Sequence, residues 1–281
     1  EIFDKNPHIF VLTEFVKSVG WIDLKTILEE KYDVFDSPYL LRQNGICIGI
    51  RKECGIEYLE TKTKSSVFGS DLNSPDFYEI KVRINSKEVS VIGTRIKIDY
   101  GKANSKKSEV RIYEQKQRFE QYMHLTNYIS HLENVIMLGD FNNSRILSDE
   151  KEIENGVIDK IYSGKDSVEY NFQKIRSFVM KKTNGRFLLY TPNGDYSSIG
   201  AFWDSTAGEA KAPIPNMTAK HKYDHLLTNY IPETLEYKWD FLRFYNITHF
   251  TEKRKIAVGY PDHAILLAKI KINNTLSGQG D

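Results

Sequence analysis

Residues 135–142 read VIMLGDFN, and the fold turns on how that stretch is read. The apolar run 135–138 is continuous and short, as expected of a strand buried on both faces. Gly139 allows a sharp exit, Asp140 then stands at the strand end, and Asn142 follows two residues later. Working toward the N-terminus, residues 109–131 change to helical spacing. Ile112, Phe119, Met123 and Thr126 form one stripe, with Tyr122 and Ile129 beside it. Before that helix, 77–84 and 88–98 read as a hairpin around Asn85, Ser86 and Lys87. Residues 45–51, within NGICIGIR, alternate as a strand, and 21–31 carry helical spacing at Ile22, Leu24, Ile27 and Leu28. The first strong element is 9–14, a short apolar run ending on Glu14, and 1–8 read like the tail of a helix.

Toward the C-terminus, 159–182 are expected to be largely helical, and 186–191 to form a strand ending at Pro192. A long segment rich in Gly, Pro and Ser, 193–222, holds Phe202 and Trp203. Loops of that length in compact domains usually serve function. Residues 223–227 and 264–272 read as further buried strands, and the tail frays from about 273. No repeat, low-complexity block or linker divides the chain, so residues 1–281 are expected to form a single domain. Strands and helices mixed throughout imply two packed sheets flanked by helices.

Bulk composition excludes more than it specifies. Hydrophobic residues at 40% and charged residues at 27% are ordinary, while 17 Tyr and 15 Phe suit sheets. Thirty-nine basic against 38 acidic residues leave a net charge of +1, so any attraction to nucleic acid must come from local patches. Cys47 and Cys54 lack the partners of a zinc site or disulfide framework and are expected to be reduced thiols, which points to a cytoplasmic setting. No apolar run reaches the length of a membrane span.

Four acids carry the chemistry: Glu14, Asp140, Asp224 and Asp262, each expected at or just past the C-terminal end of a strand. Any one of them could be a cap on the next turn. Together with Asn142 and His263 they supply what phosphodiester hydrolysis needs. Carboxylates hold a hard Mg²⁺, another accepts a water proton, and a histidine oriented by an acid stabilises phosphate charge.

In this order the motifs resemble those of the endonuclease/exonuclease/phosphatase superfamily, which includes abasic-site endonucleases, pancreatic deoxyribonuclease, tyrosyl-DNA phosphodiesterases, inositol polyphosphate phosphatases and sphingomyelinases. FVLTEF at 10–15 resembles its glutamate motif, MLGDFN at 137–142 its aspartate-asparagine motif, KYDHLL at 222–227 the strand of its penultimate aspartate, and PDHAIL at 261–266 its closing aspartate-histidine motif. The resemblance implies a four-layer α/β/β/α sandwich of two mixed sheets flanked by helices. It also implies that Glu14 and Asp262 bind Mg²⁺, with Mn²⁺ or Ca²⁺ as substitutes, and that Asp140 activates or orients the water. Asn142 would hold the phosphate or that water. His263 would contact a non-bridging oxygen, with Asp224 setting its tautomer and raising its pKa.

Two departures stand out. The family opens with a strand that supplies an asparagine near the metal. Nothing before Ile9 can be that strand, so a missing strand and a longer native product are expected. Second, where the family often has Asn-Thr-His, this chain has Gly93, Thr94 and Arg95. Arg95 could bind phosphate bidentately, or be a surface-strand arginine paired with an acid.

The expected function is a metal-dependent phosphodiesterase acting as a monomeric nuclease, endo- or exonuclease, with DNA favoured. Lys102, Lys106, Lys107, Lys211, Lys220, His221 and Lys222 could line a cleft rim, and Phe202 and Trp203 could stack on bases. The alternatives are a small-molecule or lipid-head-group phosphatase of the same fold, and a non-catalytic nucleic-acid-binding module. The second is disfavoured because the whole acid, asparagine and histidine set is present.

Overall fold

The computed structural model describes residues 2–16, 20–38, 44–62, 75–97, 107–142, 172–192, 203–204, 209–210, 223–238, 248–251, 254–257 and 263–275. In chain order the elements that build the body are α1 (Ile2–Lys5), β1 (Ile9–Val16), α2 (Trp21–Glu29), β2 (Tyr32–Asp36), β3 (Asn44–Arg51), β4 (Ile56–Lys62), β5 (Asp76–Ile84), β6 (Lys87–Arg95), α3 (Lys107–Ile129) and β7 (Val135–Asp140). They continue with α4 (Phe172–Lys182), β8 (Leu188–Tyr190), β9 (Trp203–Asp204), β10 (Glu209–Ala210), β11 (Asp224–Thr228), β12 (Tyr230–Lys238), β13 (Thr248–Thr251), β14 (Arg254–Ala257) and β15 (Ile265–Thr275).

Six strands form one sheet in the order β4-β5-β6-β7-β11-β8. It is mixed: β6 and β7 run parallel, joined through the helix α3, while the other pairs are antiparallel. A facing layer holds β1-β3-β2 and the β12-β15 pair. Three apolar clusters define four layers. Tyr78, Ile80, Val91, Ile136 and Leu226 of the large sheet meet Ile46, Ile48, Ile50 and Ile272 of the facing layer. Alternate residues of the large sheet, Ile92, Met137 and Leu227 among them, point the other way onto Tyr122, Leu125 and Ile129 of α3 and Ile175 and Val179 of α4. On the far side, Phe10 and Cys47 pack with Leu28 of α2 and Tyr32. The chain is therefore an α/β/β/α sandwich.

The hairpin turn is tighter than expected. Asn85 and Ser86 alone form it, both at positive φ (48° and 67°), and Ile84 pairs with Lys87. Seven strands escaped the sequence reading: β2, β4, β9, β10, β12, β13 and β14. β2, β4 and β12 carry mostly half-exposed or exposed side chains, and Pro232 interrupts the register of β12 with β15. Two helix faces differ too. On α2 only Leu28 is buried, whereas Ile22 is 75% exposed and Leu24 and Ile27 lie outward. On α3 the buried stripe is Gln117, Gln121, Tyr122, Leu125, Thr126 and Ile129. Polar Gln121 takes a core position because its amide pairs with both the N–H and the carbonyl of Lys97 (2.7 and 3.1 Å). Cys47 and Cys54 are free thiols.

Among the described residues, β1 is paired along one edge only, by β3, and β15 along one edge only, by β12. Both strands line a cavity of about 520 Å³. No helix among the described residues is long and apolar enough to cross a membrane.

Candidate active site

Strand register places four charged residues in one row. Asp76 of β5 pairs with Arg95 of β6, Arg95 with Asp140 of β7, and Asp140 with Asp224 of β11. Their strand-mates two residues away, Tyr78, Leu138 and Leu226, belong to the core between the sheets. Gly93, on the same side of β6, is packed against Ile46 and Val11 of the facing layer. The row therefore closes one end of the inter-sheet core. Asp224 corrects one expectation, since it opens β11 rather than ending it. The residues still meet because β11 runs antiparallel to β7, so the start of one strand abuts the end of the other.

Asp140 is buried and held from two sides by Asn142. The Asn142 backbone N–H donates to Oδ1 (2.7 Å), and its side-chain Nδ2 donates to Oδ2 (2.9 Å). The second Nδ2 hydrogen goes to the Ile96 carbonyl (2.7 Å), so both amide hydrogens are engaged. This reach requires a turn at positive φ (45°), which asparagine tolerates better than most residues. Gly139 is obligatory beside it, because a Cβ there would lie 1.8 Å from the Thr94 carbonyl oxygen. Arg118 of α3 donates to the Asn142 carbonyl (2.6 Å) and ties the loop to the helix layer.

His263 Nδ1 lies 2.7 Å from Asp224 Oδ2. An ionised carboxylate only accepts, so Nδ1–H donates to it. That leaves Nε2 to face other groups, as an acceptor on the neutral ring or a donor on the charged one. Tyr237 of β12 donates its hydroxyl to the Asp224 carbonyl (2.5 Å), fixing the start of β11 from the other layer. The neighbouring His225 points the opposite way. It is fully buried, with Nδ1 2.7 Å from Thr191 Oγ1, and packs against Phe141.

Arg95 Nη1 stands 3.9 Å from Asp76 Oδ2, and Lys97 Nζ stands 3.4 Å from Asp76 Oδ1. Asp76 and Lys97 were missed by the sequence reading. The signal was present in the hairpin. A two-residue turn at Asn85 and Ser86 sets Asp76 opposite Arg95, whereas the three-residue turn first expected sets Phe77 there.

Asp140, Asp224 and His263 all line the 520 Å³ cavity, together with Ile9–Thr13 of β1 and the start of β15. The backbone of Glu14 follows directly in β1, at a bulge where the register with β3 slips between Leu12 and Phe15. Bulges commonly re-aim side chains beside functional sites. The Glu14 side chain, Asp262, Lys102, Lys106, Phe202, Lys211, Lys220, His221 and Lys222, and the side chains of Lys107 and Trp203, lie outside the described residues. Among those described, no three His, Cys, Asp or Glu groups form a metal cluster. The donor types nonetheless suit a hard cation, with Thr13 and His263, the sequence neighbours of Glu14 and Asp262, lining one cavity.

No family model matches the sequence. No curated protein matches it either. Solved structures do. An AP endonuclease from Archaeoglobus fulgidus aligns at TM-score 0.53 and 15% identity, over 96% of this chain and 91% of its own. An endonuclease/exonuclease/phosphatase protein from Bacteroides vulgatus aligns at TM-score 0.54 and 13% identity, over 96% and 87%. A D. rerio TDP2 humanized by 14 mutations aligns at TM-score 0.50 and 12% identity, over 96% and 88%. The chain thus shares the endonuclease/exonuclease/phosphatase fold.

Proposed function

We propose that this chain, built on that fold, is a divalent-metal-dependent phosphodiesterase whose substrate is nucleic acid, DNA foremost. The observation that carries the reading is the meeting of Asp140, held by Asn142, with the His263–Asp224 pair on one cavity. A phosphodiester is anionic and repels hydroxide, so hydrolysis needs a water stripped of its proton and an environment that spreads phosphate charge.

Asp140 accepts the proton of the attacking water, and Asn142 fixes the carboxylate so that its remaining lone pairs face the cavity. His263 donates from Nε2 to a non-bridging phosphate oxygen while Asp224 holds its ring. Arg95 adds a permanent positive charge on the same face of the sheet. Glu14 and Asp262 would hold Mg²⁺, or Mn²⁺ or Ca²⁺ in its place. When bound, the ion neutralises phosphate oxygens and stabilises the departing oxygen. The nucleic-acid assignment is supported by the lysines at 211, 220 and 222, near Asp224 in sequence, and by Phe202 and Trp203 as stacking groups.

The test is incubation with plasmid, single-stranded DNA, RNA and inositol phosphates, each with Mg²⁺ or with chelator. Cleavage of DNA that chelator abolishes supports the reading. Phosphate release from inositol phosphates alone would move the assignment to a small-molecule phosphatase. Binding of nucleic acid with no hydrolysis under any metal would make the chain a binding module.

A further inference from the structure

We infer that Asp76 is a positioning residue that holds Arg95 away from Asp140; this rests on the proposed role of Asp140 as the group that accepts the water proton. Arg95 stands between two acids at the same level of the sheet, Asp76 on β5 and Asp140 on β7. Neighbouring strands are about 4.8 Å apart, and a guanidinium reaches across either gap. All three side chains share the inter-sheet face, so Asp76 and Asp140 compete for the arginine from opposite sides.

The structure sets the outcome. Arg95 Nη1 lies 3.9 Å from Asp76 Oδ2, and the same carboxylate takes Lys97 Nζ at 3.4 Å. Asp76 is nearly buried, and its backbone is held by Thr94 Oγ1, which donates to its carbonyl (3.0 Å). Lys97 is held in turn by the paired amide of Gln121. Asp76 thus anchors both cations from the β5 side. A guanidinium on Asp140 would occupy lone pairs that the water proton needs and would lower the basicity of the carboxylate. With the Asp76 charge removed, Arg95 loses its pull toward β5, and Asp140 faces it from β7.

Two measurements test this. In a crystal structure of Asp76→Asn, Arg95 is expected within ion-pair distance of Asp140; an Arg95 that stays beside β5 or turns to solvent overturns the inference. In kinetics on a phosphodiester, Asp76→Asn is expected to lower kcat at least about tenfold with little change in KM. In an Arg95→Ala background it should have no further effect, because the coupling runs through the guanidinium. An equal loss in both backgrounds would show a structural role only and also overturns it. Removing the Asp76 charge leaves Lys97 nearly buried without that partner. If Asp76→Asn does not fold, the same cycle and structure are made in a Lys97→Met background. A parent protein inactive on every phosphate ester would refute the proposed function, while the crystal structure would still decide where Arg95 goes.

Discussion

Asn142 serves both oxygens of Asp140, one from its backbone N–H and one from its side-chain amide, from a turn at positive φ. The carboxylate is therefore fixed on both oxygens by a residue two positions away. Asn142→Asp would replace a donor by an acceptor facing both Asp140 and the Ile96 carbonyl. Asn142→Gly keeps the turn conformation but removes the amide. Both should lower turnover, and the aspartate variant should also lose more stability. A loss of about 1–3 kcal/mol per unpaired buried group sets the scale. Urea unfolding of the two variants side by side would show the order.

Asp140→Asn and His263→Ala should each reduce turnover by about a hundredfold or more while leaving the fold intact. Circular dichroism and thermal melting establish the second point, and single-turnover cleavage the first. Near-normal activity in either variant removes that residue from the mechanism.

Arg95→Lys keeps a charge but not the two parallel donors of a guanidinium. The loss should be about 1.5–3 kcal/mol, or roughly ten- to a hundredfold in kcat/KM. It should be the same on DNA and on a small phosphodiester, because phosphate contacts carry no base information. Unchanged kinetics on both substrates would make Arg95 a strand residue without catalytic weight.

Gly139→Ala should be among the most damaging small substitutions in the chain, since its Cβ would meet the Thr94 carbonyl at 1.8 Å. The expected cost is at or above the upper end of the roughly 1–3 kcal/mol typical of overpacking. Gly185→Ala, at φ +73° with nothing within 4 Å of the added carbon, isolates the backbone effect at about 1–2 kcal/mol. Comparable losses in the two variants would contradict the close approach of β6 and β7.

Burial pushes the Tyr230 phenol up to about 12 from 10.0. Burial first, and then the hydrogen bond it donates to Glu79, also raise the Tyr128 phenol. A folded-state pKa above the unfolded value means stability that is complete below the unfolded pKa and lost as pH climbs toward the folded one. The urea midpoint should therefore decline above about pH 10. The decline should be shallower in Tyr230→Phe. An equally steep decline in that variant would assign the alkaline loss to other groups.

The parts legible in the sequence are those where burial imposes a period. β7 is an unbroken apolar run, β5 and β6 alternate about a turn of asparagine and serine, and the charged row stands where these strands end. Edge strands β2, β4 and β12 were illegible because little of their surface is buried, so polar residues are free to occupy them. The core face of α3 was legible at Tyr122, Thr126 and Ile129, which are buried as expected, and incomplete for the opposite reason. Gln117 and Gln121 are buried polar residues, and Gln121 is satisfied by a backbone that a periodicity argument does not contain. Asp76 was hidden by a single residue of register, which turns every side chain of a strand to the other face.

The bond between His263 and Asp224 joins the two halves of the sandwich, since β11 belongs to the large sheet and His263 leads into β15 of the facing layer. At 2.7 Å it is a gauge of the distance between the layers, and about one ångström of separation would take it past hydrogen-bond reach. Changes in the middle of the molecule, such as a side chain at Gly93 where Ile46 and Val11 already press close, would be read out at this bond. Heat should therefore silence the site while most of the strand ladders are still intact, and loss of activity would report the loosening of the core before unfolding does.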